Sequence, residues 1–301
     1  MIAARPRDDV FDEAFLRKLE RLDLVARKLR AGTLRGERRS TKRGQSVEFA
    51  DFRLYSHGDD LRRVDWNVYA RTERAFIKLF VEEEDRTVHL LLDCSPSMDW
   101  GDGAAHKLTW ARRAAAALGY IALAGLDRVS LATLGGGVAG QLAGQRGTRA
   151  FFRLLDFLGN AGAIAGAGDL DAALTAYAGR ARQPGPIFLF SDLLVAGGGK
   201  AGLTALAAHG YEPNVIHILA PDERDPALAG ELQLIDSETG ATRDLTVDDA
   251  ALGRYRRGLA DWQRDLASFC AGRGWPYLPI NTATPFEDVI LNALRRGGIT
   301  T

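Results

Sequence analysis

Sulfur chemistry is nearly absent from this 301-residue chain, which carries two cysteines, Cys94 and Cys270. Two thiols make neither a disulfide framework nor a zinc quartet, and they fit a reducing compartment. Five scattered histidines assemble no Ser-His-Asp or Cys-His grouping. No apolar run approaches the ~20 residues of a membrane helix, and the opening MIAARPRDDVFDEAF has no apolar stretch of the signal-peptide kind. The expectation is a soluble, cytoplasmic protein. The 39 basic and 39 acidic side chains cancel, so only local patches of charge can steer a partner. No internal repeat of 20–50 residues is visible. The glycine cluster Gly135–Gly137 joins one strand pattern to another, which excludes a dinucleotide-binding loop there.

What the chain does have begins with an amphipathic helix over Asp12–Leu29, with Phe15, Leu16, Leu19, Leu22, Val25, Ala26 and Leu29 at helical spacing. Residues 27–43 then carry eight basic side chains against the single acid Glu37. No aromatic residues interleave to stack on bases, so nucleic acid is not the expected partner; a solvated face or a dock for an acidic protein is. Gly44–Glu84 mixes charge and aromatics without helical period until a strand-like Ala75–Val81. Arg53, Asp59, Asp60, Arg62, Arg63, Asp65 and Arg71, beside Trp66 and Tyr69, read as an ion-pair network that clamps this segment to the rest. His57, beside Gly58, reads as a surface residue.

The most informative stretch is TVHLLLDCSPSMDW, Thr87–Trp100. Val88–Leu92 has the almost unbroken apolar pattern of a strand buried on both faces. It delivers Asp93, Ser95 and Ser97 into a turn at Pro96. One carboxylate and two hydroxyls at the C-terminal end of a central strand suit a small hard cation such as Mg²⁺. The plainer reading is that they cap the next helix and stabilise the turn.

From residue 87 onward, strand and helix patterns alternate, which predicts an α/β fold with a doubly wound, mostly parallel sheet. The expected order is a helix over His106–Leu126, a strand over Asp127–Leu134 and a short strand over Val138–Leu142. A helix over Thr148–Leu158 follows, striped by Phe151, Phe152, Leu154, Leu155 and Leu158, and then a second one capped by Asp169. The strand Pro186–Phe190 ends in Ser191–Asp192; a helix over Lys200–His209 and the strand Asn214–Leu219 come next. His217 sits in that strand as a core-side residue rather than a ligand. Glu231–Leu245 reads as a two-stranded ribbon turning at Thr239–Gly240. A long helix over Val247–Ala271, a strand over Trp275–Ile280 and a helix over Pro285–Arg295 close the chain. Two parts are expected: residues 1–80, a helix and charged segment packing on the main domain, and residues 81–301, the α/β domain. Asp192 supplies a second carboxylate at the same sheet edge. With Asp93, Ser95 and Ser97 it makes a credible Mg²⁺ or Mn²⁺ shell completed by water.

This combination resembles the metal-ion-dependent adhesion site of von Willebrand factor type A domains. The upstream GQSVEFADFRLYSHGDDLRRVDWNVYARTERAFIKLF resembles the signature of family 58 among the bacterial domains of unknown function. The likeness covers roughly residues 30–220. It implies a von Willebrand A-like, Rossmann-like domain behind an N-terminal extension, and a non-enzymatic role in which the cation's open position takes a partner's carboxylate. It further implies an adaptor or co-chaperone linking a MoxR-type AAA+ ATPase to a client protein. The family pattern has a threonine in the loop before the second helix; Gly168 stands there in this chain. Losing that hydroxyl implies a weakly held cation, with Asp169 a substitute only if it is not spent on capping.

Two other classes of function compete. A Mg²⁺-dependent phosphohydrolase would want a second acid two residues after Asp93, where Ser95 stands, and a lysine on the phosphate, whereas Lys107 and Lys200 lie in or beside helices. A nucleic-acid binder would use residues 27–43 and lose affinity steeply with salt.

Overall fold

The structure, a computed structural model, describes residues 10–22, 47–56, 64–82, 87–125, 127–165, 168–180 and 183–295. It divides into two compact units, one of Met1–Arg35 with Arg86–Thr301 and one of Gly36–Asp85. His57, Asp59, Asp60, Arg62, Arg63 and the basic residues 27–43 lie outside the described residues.

In the smaller unit, β1 (Val47–Leu54) pairs antiparallel with β2 (Phe76–Glu82), and α2 (Trp66–Thr72) lies between them in sequence; α1 denotes the helix at residues 13–22. The sequence pattern showed neither β1 nor α2. The helix is too short for a visible period and starts because the Asp65 carboxylate accepts from Asn67 N (2.9 Å) and Val68 N (3.2 Å). Trp66 and Tyr69 pack edge to face at 6.0 Å.

The larger unit is built on six strands in the order β10-β7-β6-β3-β4-β5. These are β3 (Thr87–Asp93), β4 (Arg128–Leu134), β5 (Val138–Gln145), β6 (Pro186–Ser191), β7 (Glu212–Leu219) and β10 (Tyr277–Asn281). All neighbours run parallel except β5, which returns antiparallel along β4. The glycine turn before β5 makes a hairpin, and a hairpin forces that direction. Helices α3 (Lys107–Ala124), α4 (Phe151–Asn160), α5 (Leu170–Ala178), α6 (Lys200–Ala208), α7 (Pro221–Arg224), α8 (Asp249–Ala271) and α9 (Phe286–Arg295) complete the unit. The ribbon stands as β8 (Gly230–Ile235) paired with β9 (Thr242–Val247).

The sheet is covered on both faces, as continuous apolar strands require. Leu90, Leu92, Phe188 and Phe190 pack with Phe15, Leu19 and Leu22 of α1 and with residues of α3, α4 and α9. Leu91, Ile187 and Leu189, one step out of phase, pack on the other face with Leu174, Leu203 and Leu266 of α5, α6 and α8. The N-terminal helix therefore contributes to the core of the larger unit. Two details of the expected stripes change. Phe152 is 71% exposed, because a residue next to Phe151 lies about a hundred degrees round the helix from it. Val247 ends β9 instead of starting α8, whose cap is Asp248, accepting from Ala251 N at 2.6 Å. No helix among the described residues is long and apolar enough to cross a membrane.

Candidate functional site

Parallel register sets the first contact. Leu92 of β3 lies level with Phe190 of β6, so Asp93 and Ser191 leave the sheet side by side at its C-terminal edge. The Ser191 hydroxyl donates to Asp93 Oδ2 at 2.5 Å, and Ser95 N donates to Asp93 Oδ1 at 2.9 Å. The turn that follows brings Ser95 Oγ within 3.0 Å of Ser97 Oγ. Asp93 and Ser95 are buried and Ser97 is half-buried. A cleft of ≈ 10 Å³ lies against Asp93 and Ser95, bordered by Gly135, Gly136, Gly168 and Asp169. That is room for about one water or one ion. Asp169 caps α5, its Oδ1 accepting from Ala172 N at 2.8 Å.

Asp192 follows Ser191, and side chains alternate along a strand. Ser191 turns with Leu189 toward the α5 face; Asp192 turns with Phe190 toward the α3 face. There it meets Lys107 in the first turn of α3. Lys107 Nζ, fully buried, donates to Asp192 Oδ2 at 2.7 Å and to Glu223 Oε1 at 2.5 Å. Asp192 Oδ1 accepts from Leu194 N at 3.1 Å, and Glu223 Oε2 accepts from Ala220 N at 2.7 Å. Between these bonds Leu193 holds a left-handed backbone, φ 56°, a strained conformation for a bulky residue that lets the chain turn back beneath the rim. Three ionised groups thus tie the ends of β6 and β7 to the start of α3. Burial, and after it the Asp192 charge, push the Asp93 carboxyl up to about 6, against the hydrogen bonds from Ser191 and Ser95.

The four candidate ligands therefore stand in two subgroups. Asp93, Ser95 and Ser97 are joined to one another by short contacts. Asp192 is coupled to Asp93 through its field, while both its oxygens already hold a donor. Among the described residues no three His, Cys, Asp or Glu side chains converge as a metal cluster. A cation here would be held by one carboxylate and two hydroxyls, all hard oxygen donors that suit Mg²⁺ or Mn²⁺ and leave positions for water. Cys94 is buried beside this group, and burial, with the Asp93 charge after it, pushes its thiol up to about 12.

Sequence reasoning missed Lys107, Ser191 and Glu223. Lys107 had a signal: Lys107, Ala111, Ala114 and Leu118 share one helical face, and an otherwise apolar stripe headed by lysine implies a buried ammonium with partners. Glu223 lies 116 residues further along the chain and has no local signal. His217 is buried in β7, its Nδ1 2.6 Å from the Tyr277 hydroxyl, as a core residue.

A mostly parallel sheet covered by helices on both faces, with a small cleft against Asp93 and Ser95 at its C-terminal edge, defines an α/β domain. The chain belongs to the family described as "Protein of unknown function DUF58", whose model matches residues 51–265. An uncharacterised protein of Mycobacterium tuberculosis, Rv1480, is 29% identical over 298 residues, covering 97% of this chain and 94% of that protein. Mb1516 of Mycobacterium bovis, also uncharacterised, matches to the same extent. Among solved structures, the conserved hypothetical protein BatB from Bacteroides thetaiotaomicron aligns with 16% identity and TM-score 0.43, over 70% of this chain and 98% of that one.

Proposed function

We propose that this protein is a non-enzymatic interaction module of the von Willebrand A type. In this reading Asp93, Ser95 and Ser97 hold a divalent cation whose remaining position accepts an acidic side chain of a partner. The observation that carries it is the contact set at the end of β3: Asp93 and Ser95 line a cleft of single-ion size, and the Ser95 hydroxyl lies 3.0 Å from that of Ser97. Asp192 contributes negative charge from behind and, with Lys107, fixes the strand ends. The strand order, with its antiparallel edge strand β5, is compatible with the von Willebrand A arrangement. When bound, the cation supplies a Lewis-acidic point that a carboxylate can grasp. The chain's own part is to orient the oxygens and to keep them dry.

In this reading the partner is a MoxR-type AAA+ ATPase, as the sequence resemblance implies, and the role toward a client is that of an adaptor or co-chaperone. A phosphohydrolase is disfavoured because the Lys107 ammonium is spent on two carboxylates out of reach of solvent. The test is binding of the purified chain to the ATPase by surface plasmon resonance in Mg²⁺ and in EDTA. Affinity is expected to fall at least tenfold in EDTA and equally in Asp93→Ala, with the folded circular dichroism spectrum kept. Equal affinity under all three conditions rules the reading out.

A further inference from the structure

The ribbon β8–β9 returns to the site. Its tip is a tight turn in which the Asp236 carboxylate accepts from Glu238 N (2.8 Å) and Thr239 N (3.2 Å), and Gly240 N donates to Asp236 O at 2.8 Å. The turn roots the Glu238 side chain firmly. Asp236, Ser237, Thr239 and Gly240 are exposed, whereas Glu238 is half-buried. Its Oε1 accepts from Ser97 N at 3.1 Å, across 141 residues of sequence. Its Oε2 is shut off from solvent and has no hydrogen-bond partner.

A carboxylate oxygen in that position has surrendered its water without a replacement, which native proteins avoid unless an unseen water, proton or ion completes it. Among the described residues no lysine or arginine forms an ion pair with Glu238. The groups next to Ser97 N are the Ser97 and Ser95 hydroxyls and, through Ser95, the Asp93 carboxylate. On the loop side of the cleft, Gly168 offers no side-chain oxygen.

We propose that Glu238 is a ligand of the divalent cation at the Ser95–Ser97 rim, supplied by the chain itself from the ribbon tip. The assignment rests on the cation-binding reading above and deepens it. Glu238 adds a charged oxygen to a set otherwise limited to Asp93 and two hydroxyls. It also places an internal carboxylate at the rim that a partner's acid approaches, so the ribbon becomes part of the recognition surface.

Glu238→Gln is the discriminating variant. Glutamine keeps an oxygen to accept from Ser97 N, so a purely structural role survives, while the charge that favours a cation is lost. Mn²⁺ titrated calorimetrically into the full chain is expected to bind about tenfold more weakly to Glu238→Gln than to the wild type. Mn²⁺ is also expected to slow amide hydrogen exchange at residues 236–240 in the wild type and not in the variant. Wild-type affinity and wild-type ribbon protection in Glu238→Gln, with binding abolished in Asp93→Ala, would overturn the assignment of Glu238 while leaving the cation site standing. No Mn²⁺ binding by the wild type at millimolar concentration would overturn both.

Discussion

Lys107→Met puts the charge balance of the rim to the test. Methionine fills nearly the volume of the lysine stem, so the loss is electrostatic more than steric. The ammonium is fully buried and its partners Asp192 and Glu223 are 2% and 17% exposed, so neither carboxylate recovers full hydration when the cation is removed. Breaking a buried pair by deleting one partner costs about 3–5 kcal/mol. For a unit of this size that lowers the melting temperature by on the order of 10 °C. The assay is urea unfolding in EDTA at pH 7.5, followed by tryptophan fluorescence. Adding Asp192→Asn to the Lys107→Met variant removes one stranded charge and should recover part of the loss. The cycle is expected to show a coupling of at least about 1 kcal/mol between positions 107 and 192. A Lys107→Met variant within about 0.5 kcal/mol of wild type, or two single effects that simply add, would refute the reasoning. Removal of the internal cation also predicts tighter Mn²⁺ binding, since the negative charge of Asp192 behind the site is no longer offset by an ammonium.

Two further outcomes follow from the same geometry. A Cβ built on Gly168 meets nothing within 4 Å, so Gly168→Thr should fold normally; a hydroxyl restored at the cleft is expected to tighten Mn²⁺ by about fivefold, roughly 1 kcal/mol, and unchanged affinity would remove the loop from the site. His89, buried in β3, has Nδ1 2.7 Å from the Tyr177 hydroxyl and Nε2 3.0 Å from the Gln183 carbonyl, an arrangement one neutral tautomer satisfies. Burial, opposed by the bond to Gln183, lowers its pKa from 6.5 to about 4. The unfolded chain therefore takes up a proton that the native state refuses, and stability present above pH 6.5 drains as pH falls toward 4, by about 3 kcal/mol from this residue. His89→Gln is expected to flatten the stability–pH curve over that window, and parallel curves for the two proteins would contradict the assignment.

Sequence periodicity revealed most of the larger unit because its elements announce themselves locally. Pro186–Phe190 is an unbroken apolar run and Val88–Leu92 is interrupted only by His89, and a strand buried on both faces has few other ways to be written. The ribbon with its turn at Thr239–Gly240 was legible for the same reason, through alternation and turn chemistry. The smaller unit was not, because β1 mixes charge and aromatics without strict alternation and α2 spans only seven residues, less than two full turns.

The site was half legible, and the missing half follows from one residue of phase. Sequence order alone puts Asp93 and Asp192 at neighbouring strand ends and invites the conclusion that they share a ligand. Alternation assigns Ser191, not Asp192, to the face of Asp93, and the 2.5 Å contact between Ser191 and Asp93 is the result. Asp192 then needs its own counter-charge on the α3 face, and Lys107 supplies it. The remaining element of the site, Glu238, sits at the tip of a ribbon that packs little apolar surface of its own; β8 and β9 expose most of their residues. A two-stranded ribbon is marginal in isolation. The ribbon tip is anchored at Ser97, and if a cation joins Glu238 to Asp93 and the two serines, binding the ion and ordering the ribbon are one event.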